Sequence, residues 1–167
     1  MKKIYVSVLL VLLCAVMHAQ QSVGGSPLSF ILSDIENQEF EIREFSSLDI
    51  EEIEQEDIDR ENSGKLELFS RYIESNLTLQ NSGTYYTFEN GDRVWRLKIT
   101  AREAQALNFL YDHFYLATNS ILHIYSADKS MVLGGFTAAN NKSSELFASG
   151  NILGESVVLE LFEPLSD

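Results

Sequence analysis

The sequence predicts a mainly β protein: an antiparallel β-sandwich of jelly-roll type, preceded by a short acidic arm that is helical or extended. Three observations carry that prediction. Segments rich in Val, Ile, Leu, Tyr, Phe and Thr recur at a spacing of roughly 8–12 residues with turn signals between them. Within several of them the apolar residues alternate, as Trp95, Leu97 and Ile99 do with Arg96 and Lys98. No helical segments separate the later strands, which argues against a parallel α/β sheet.

The first residues stand apart from that pattern. Lys2 and Lys3 precede the apolar run IYVSVLLVLLCAV, which exits through His18-Ala19-Gln20. This is the form of a secretory signal peptide over residues 1–19, cut after Ala19. The run is shorter than the roughly 20 residues that a membrane-spanning helix needs. A secreted, periplasmic or cell-surface destination of the Gram-negative type is therefore expected, with no membrane association after cleavage. Loss of the leader removes Cys14, the only cysteine, and with it any disulfide, thiol nucleophile or thiolate metal site. Removing Lys2 and Lys3 as well leaves 10 basic residues against 25 acidic ones, a net charge of −15. A chain so acidic repels nucleic acid and anionic lipid, so neither is expected as a partner, whereas a basic protein is compatible.

Acidity divides the remainder into an arm over residues 20–62 and a body over 63–167. Residues 34–61 hold 13 Asp or Glu against Arg43 and Arg60, whereas 63–167 hold 12 acids and 8 bases. In the arm, Leu48, Ile50, Ile53 and Ile58 form one narrow apolar stripe among acids. Ser47 is placed to cap a short helix and Gly64 to end it. Such a helix is marginal alone and needs a surface to lie on. The alternatives are a solvated linker and an arm that docks on a partner through Glu51, Glu52, Glu54, Glu56 and Asp57.

The body reads strand by strand. NLTLQNSGTYYTF over 76–88 is interrupted at Asn81-Ser82-Gly83. Asn90-Gly91 then turns the chain into VWRLKIT, the strongest hairpin signal in the sequence. Residues 106–115 are predicted as one strand with Leu107, Phe109, Tyr111, His113 and Tyr115 on one face, although AREAQAL by itself favours helix. ILHIYSA, MVLGGFTA and NILGESVVLELFEP complete the set, with Asp128-Lys129-Ser130 as a turn and Pro164 as the end. Core anchors are expected at Trp95, Leu97, Ile99, Phe114, Phe136 and Leu159. Trp95 alternates with charged neighbours, which favours a core residue over a sugar-stacking platform.

Little in the chain offers catalysis. His113 and His123 both sit on predicted strands among apolar neighbours and are expected to be satisfied or surface histidines. No His-x-x-x-His spacing and no Gly-x-Ser-x-Gly elbow occurs. Asp112 precedes His113 on a predicted strand and so points to the opposite face, unable to orient it. The carboxylates of the EQED run belong to a charged face, and no calcium-loop pattern is present. No enzyme activity, cofactor or metal is expected. Asn76-Leu77-Thr78 and Asn141-Lys142-Ser143 fit the glycosylation sequon.

The order of these motifs resembles the N-terminal pro-region of secreted bacterial lysyl-endopeptidase-like serine peptidases of the trypsin superfamily. VWRLKIT, ALNFLYDHFYL, ILHIYSADKSMVLGGFTAANN and ESVVLELFEP resemble successive strands of that pro-region. In the arm, the acidic segment Leu48 to Asp57 is similar to one that precedes an Arg-aromatic step, here Arg71-Tyr72. The resemblance spans roughly residues 45–164. It departs at Arg102-Glu103-Ala104, where a Gly-Ala pair is usual, and at Gly134-Gly135, where Gly-Ala is usual. The resemblance implies a non-catalytic pro-domain that assists folding or latency of a trypsin-like peptidase domain in cis or in trans. None of that family's triad positions has a counterpart here. The other reading is a free-standing extracellular binding module for carbohydrate or protein, with an exposed aromatic face including Trp95, Tyr85, Tyr86 or Tyr115.

Overall fold

A computed structural model describes residues 21–66 and 68–165, so the predicted signal peptide lies outside the described residues. The chain enters as an irregular strap over 22–40. It contains a 3-10 turn at Leu28–Phe30 and one helical turn at Ser33–Glu36 (α1). Strand β1, Ile42–Phe45, is followed by helix α2, Ile50–Asn62. Next come β2 (Thr84–Thr87), β3 (Arg93–Ala101), β4 (Ala106–Leu107) and β5 (Leu110–Tyr111). The remainder is β6 (Ile121–Ser126), β7 (Val132–Phe136), β8 (Phe147–Ala148), β9 (Ile152–Leu153) and β10 (Ser156–Glu163).

Six strands form one mainly antiparallel sheet in the order β1–β3–β10–β6–β7, and β2 shares the β1 edge of β3. The middle is β10, with Leu159 paired to Leu97 on one side and to Ile124 on the other. β2 covers the first half of β3 and β1 the second. The β1–β3 pair is parallel, so the sheet is mixed and not wholly antiparallel as predicted. The long connection through α2 and β2 supplies the crossover that parallel neighbours require. β1 also lies within the stretch whose charge assigned it to the arm. Residues 21–45 are therefore built into the sheet and its cover, and the change in charge near residue 62 does not mark where the body begins.

The β2–β3 hairpin closes around Asn90-Gly91 as the sequence indicates. Phe88 N–H donates to Asp92 O, Gly91 N–H donates to Phe88 O, and Gly91 has φ +87. That is a three-residue loop ending in a left-handed glycine.

One face of the sheet is apolar. Trp95, Leu97 and Ile99 join Leu122, Ile124, Phe136, Val157, Leu159 and Leu161 in a buried cluster with Phe114, Leu116, Phe147 and Ile152. All six anchors named from the sequence are in it. The Trp95 indole N–H donates to Ser82 O at 2.7 Å, so the ring closes over the 82–83 backbone. A Cβ on Gly83 would fall 2.1 Å from the Trp95 Nε1, and only glycine fits beneath that ring.

This apolar face is covered by β4–β9 and β5–β8, two antiparallel pairs whose registers differ by one residue. They are halves of a single ribbon interrupted near Ser149, whose N–H donates to Phe109 O. The predicted strand over 106–115 is accordingly broken. Leu107, Phe109 and Tyr111 point inward, but beyond Asp112 the phase reverses: Phe114 and Leu116 are buried while His113 and Tyr115 are exposed. Three aromatic rings claim the interior there, with Phe114 stacked on Phe147 at 4.2 Å and Tyr111 edge-on to Phe114. Packing of those rings outweighs the strand period.

Candidate functional site

The second face of the sheet is where the polar residues gather. Register places Arg96, Glu160 and His123 side by side on β3, β10 and β6. All three are buried, at 3 %, 2 % and 7 % exposure, because the strap lies across them. The strap begins at the β7 edge, where the Ser22 hydroxyl donates to Gly134 O and Val23 N–H donates to Gly135 O at 3.0 Å. Gly134-Gly135 makes this contact possible. The β6–β7 register shifts between Leu122 and His123, and a Cβ on Gly135 would meet Gly24 O at 2.3 Å.

From there the strap crosses the row residue by residue. Gly24 O accepts from His123 Nε2 at 3.4 Å. Ser29 N–H donates to Glu160 Oε1 at 3.3 Å, and the Tyr125 hydroxyl donates to Oε2 at 3.2 Å. Since the Tyr125 proton is used on Glu160, the Ser29 hydroxyl, 2.9 Å away, donates to the Tyr125 oxygen. Phe30 packs edge-on against the Tyr125 ring at 4.9 Å. Arg96 turns away from Glu160, donating to Gln38 O at 3.0 Å and lying 4.1 Å over the Phe40 ring. Lys129 fixes α1 from the opposite side through Glu36 at 2.6 Å, and holds that carboxyl below its usual range by hydrogen bond and charge.

These contacts set the electrostatics. Burial pushes the Tyr125 hydroxyl up, with the Glu160 charge adding to it, so Tyr125 stays a donor. Burial pulls His123 down against the smaller opposing pulls of Gly24 O and Glu160, so its ring is neutral near pH 7. Glu160 forms no ion pair among the described residues. A carboxylate buried on two long hydrogen bonds without a cation is an expensive arrangement.

Two clefts flank the strap. The larger, about 700 Å³, has His123 and Glu160 at its base and is walled by Tyr86, Phe88 and Phe162, with Asp34, Glu89 and Asp92 around it. The smaller, about 530 Å³, holds Arg96, Lys98 and Lys129 opposite Glu36 and Glu39.

The arm is the other candidate. Helix α2 is capped by Asp49, whose carboxylate accepts from Glu52 N–H at 3.1 Å, and not by Ser47 as predicted. Asp49 stands directly before the first helical residue, within reach of the free N–H groups, which Ser47 is not. The helix stops at Gly64, φ +67, with Gly64 N–H on Glu61 O and Lys65 N–H on Arg60 O. No residue of α2 is buried; Glu51, Glu52, Glu54 and Glu56 are exposed and Asp57 is half-buried. Arg71 clasps the helix, at 2.7 Å from Asp57 and 3.3 Å from Glu56, and so folds the following segment back on it. The Arg71-Tyr72 step and the Glu56-Asp57 pair are thereby joined. In the helix and the segments that flank it along the chain, Leu48, Ile50, Ile58, Leu66, Phe69 and Tyr72 are exposed.

The remaining residues singled out from the sequence lie apart from both places. His113 is on the surface, 3.2 Å from Glu145, more than a strand's length in sequence from His123 and not part of the polar row. Trp95 presents no face for a sugar, and of the aromatic residues proposed to lie outside, Tyr115 is exposed while Tyr85 and Tyr86 are half-buried. Asn141 is occupied at both side-chain atoms by the Leu116 backbone, each at 2.9 Å. Among the described residues no three His, Cys, Asp or Glu converge as a metal-holding group.

Sequence reasoning missed the Arg96–Glu160–His123 row by treating the polar parity of β3 as solvent-facing. A signal was present. Val94 shares the parity of Arg96, Val158 and Phe162 that of Glu160, and Ile121 and Tyr125 that of His123. Apolar residues on both parities of three strands indicate a sheet covered on both sides. No family model matches the chain, and no solved structure matches it.

Proposed function

We propose that the chain is a secreted, non-catalytic pro-domain-like module of a lysyl-endopeptidase-like serine peptidase precursor, assisting folding or latency of the peptidase domain in cis or in trans. In this reading the fold is sandwich-like, the β4–β9 and β5–β8 ribbon standing for a reduced second sheet over the Trp95 face. The observation that carries the proposal is the arm. A helix of 13 residues that buries none of them, that carries exposed Ile58 and is tied through Arg71 to a segment with exposed Phe69 and Tyr72, has the makings of a docking element. Its charge suits a basic partner surface, where complementarity speeds encounter and fixes orientation. A sugar-binding module finds less support, since the indole of Trp95 is buried and hydrogen-bonded.

The test is binding to a lysyl-endopeptidase-like catalytic domain at low and moderate salt. Replacing Glu51, Glu52 and Glu54 together by Gln is expected to weaken binding by about tenfold, at up to about 0.5 kcal/mol for each exposed charge. Most of the loss should appear in the association rate, and added salt should erase it. Unchanged affinity would remove the arm from the proposal, and no binding by the unaltered chain would end it.

A further inference from the structure

The two clefts beside the strap differ in one respect that matters for ligands. In the smaller one three cations face two carboxylates. In the larger, Asp34, Glu89, Asp92 and Glu160 have no Lys or Arg beside them among the lining residues. Asp34 and Glu89 have no ion pair or side-chain hydrogen bond among the described residues, and the Asp92 carboxylate accepts only from the Asn90 side chain and from Leu165 N–H. Glu160 at the base is buried without a cation, while Arg96, the natural candidate on the next strand, is spent on Gln38 and Phe40. The walls are aromatic: Tyr86 and Phe88 meet edge-on at 5.0 Å, with Phe162 and Ile121 beside them.

We propose that the larger cleft is a binding site for an ammonium or guanidinium group carried on an apolar stem. The stem lies against Tyr86, Phe88 and Phe162, whose ring faces favour a cation, and the charged head reaches toward Glu160. Carboxylates at the rim draw the cation in, and the buried Glu160, hydrogen-bonded by Ser29 N–H and the Tyr125 hydroxyl but paired with no cation, adds its charge beneath them. Neutral His123 does not compete for Glu160 near pH 7. Such a group is offered either by a free alkylamine or by a Lys or Arg side chain of a protein partner. The inference rests on the cleft alone and does not depend on the arm or on the peptidase reading.

The experiment is an amide-resolved NMR titration of the full chain with n-butylammonium chloride, with n-butanol, and with the capped peptide acetyl-Gly-Lys-Gly-amide. Butylammonium is expected to move the signals of Phe88, Asn90 and His123, and to bind about tenfold more tightly than butanol, the loss typical when a charge partner is missing. Glu160→Gln keeps the shape and removes the charge. It should abolish that preference without lowering the unfolding midpoint, because a buried carboxylate with no cation is removed. Should that variant misfold, the exposed pair Asp34→Asn with Glu89→Gln decides, with an expected two- to fivefold weakening, roughly that of two screened surface charges, that disappears at high salt. A peptide that binds more tightly than butylammonium assigns the site to a partner's side chain; equal or weaker binding assigns it to a free amine. Equal response to butanol, or no response of cleft signals to butylammonium at tens of millimolar, would overturn the proposal.

Discussion

The strap over residues 22–40 has scarcely one regular turn, yet Pro27, Ser29 and Ile35 are buried in it. Helix α2 is regular for 13 residues and buries none. Both precede β2 in the chain, and both carry more acids than bases. The difference is in what lies beneath them. The strap crosses a sheet face with unsatisfied donors and acceptors, and each contact it makes closes one. The helix satisfies its own backbone and finds little else. Integration into a domain follows from buried side chains and long-range hydrogen bonds, while secondary structure alone guarantees neither.

The comparison is broken most severely at one isoleucine in each region. Ile35 is fully buried, and Ile58 is about half exposed. Ile35→Ala is expected to lower unfolding stability by about 2–5 kcal/mol, as for other buried Ile-to-Ala truncations. Ile58→Ala should stay within about 0.5 kcal/mol. Urea unfolding of the two variants measures both, and equal losses would mean that the arm is as integrated as the strap.

Glycines give a second, smaller contrast. Gly135 and Gly64 both have left-handed backbones, φ +42 and φ +67. An alanine at 64 meets nothing within 4 Å, so Gly64→Ala should cost only the conformational penalty of about 1–2 kcal/mol, confined to the helix end. An alanine at 135 adds a collision with Gly24 O and Val23, and about 2–4 kcal/mol in all is expected. The signature is local: faster hydrogen exchange at Val23, whose N–H is held by Gly135 O.

Acid offers a milder probe of the strap. His123 faces Gly24 O from the strap and Glu160 from the adjacent strand, with Asp34 lining the same cleft and Tyr125 further along its own strand. Burial lowers its pKa in the folded chain below the ~6.5 of an unfolded one. The unfolded state therefore takes up the proton first as pH drops. The stabilisation is complete above ~6.5 and is lost as pH falls through that value toward the lower folded one. His123→Asn should flatten this part of the stability curve; an identical slope in both proteins would show that His123 is not its source.

How far the sequence could be read follows from the same contrast. Alternation located β3 and β10 through Trp95, Leu97 and Ile99 and through Val157, Leu159 and Leu161, while the Asp128-Lys129-Ser130 turn separated β6 from β7. The strap leaves no period to detect: its buried residues, Pro27, Ser29 and Ile35, are spaced irregularly and two of the three are not large and apolar. Composition also misled, since Asp34, Glu36, Glu39 and Glu44 are exposed on a segment that nonetheless packs on the sheet and joins it at β1. The aromatic stretch 106–115 failed for another reason. Its period was correct to Tyr111, and the ring stack of Phe114 on Phe147 then reset which residues face inward. As for the cleft, its carboxylates come from residues 34, 89, 92 and 160, which only the topology brings together.

The smallest expected effect tests the helix on its own terms. Asp49 accepts from Glu52 N–H, and the loss of such a cap costs about 1 kcal/mol of helix stability. Because α2 buries nothing, Asp49→Ala should fray the helix while the sheet unfolds at an unchanged denaturant midpoint. Hydrogen exchange would show the change at Ile53 and Glu54, and not at Leu97 or Leu159 in the core. A fall in the global midpoint of the same size would mean that helix and sheet unfold together. The arm would then be held by contacts that outweigh its exposure, and it would be less free to offer its acidic face to a partner.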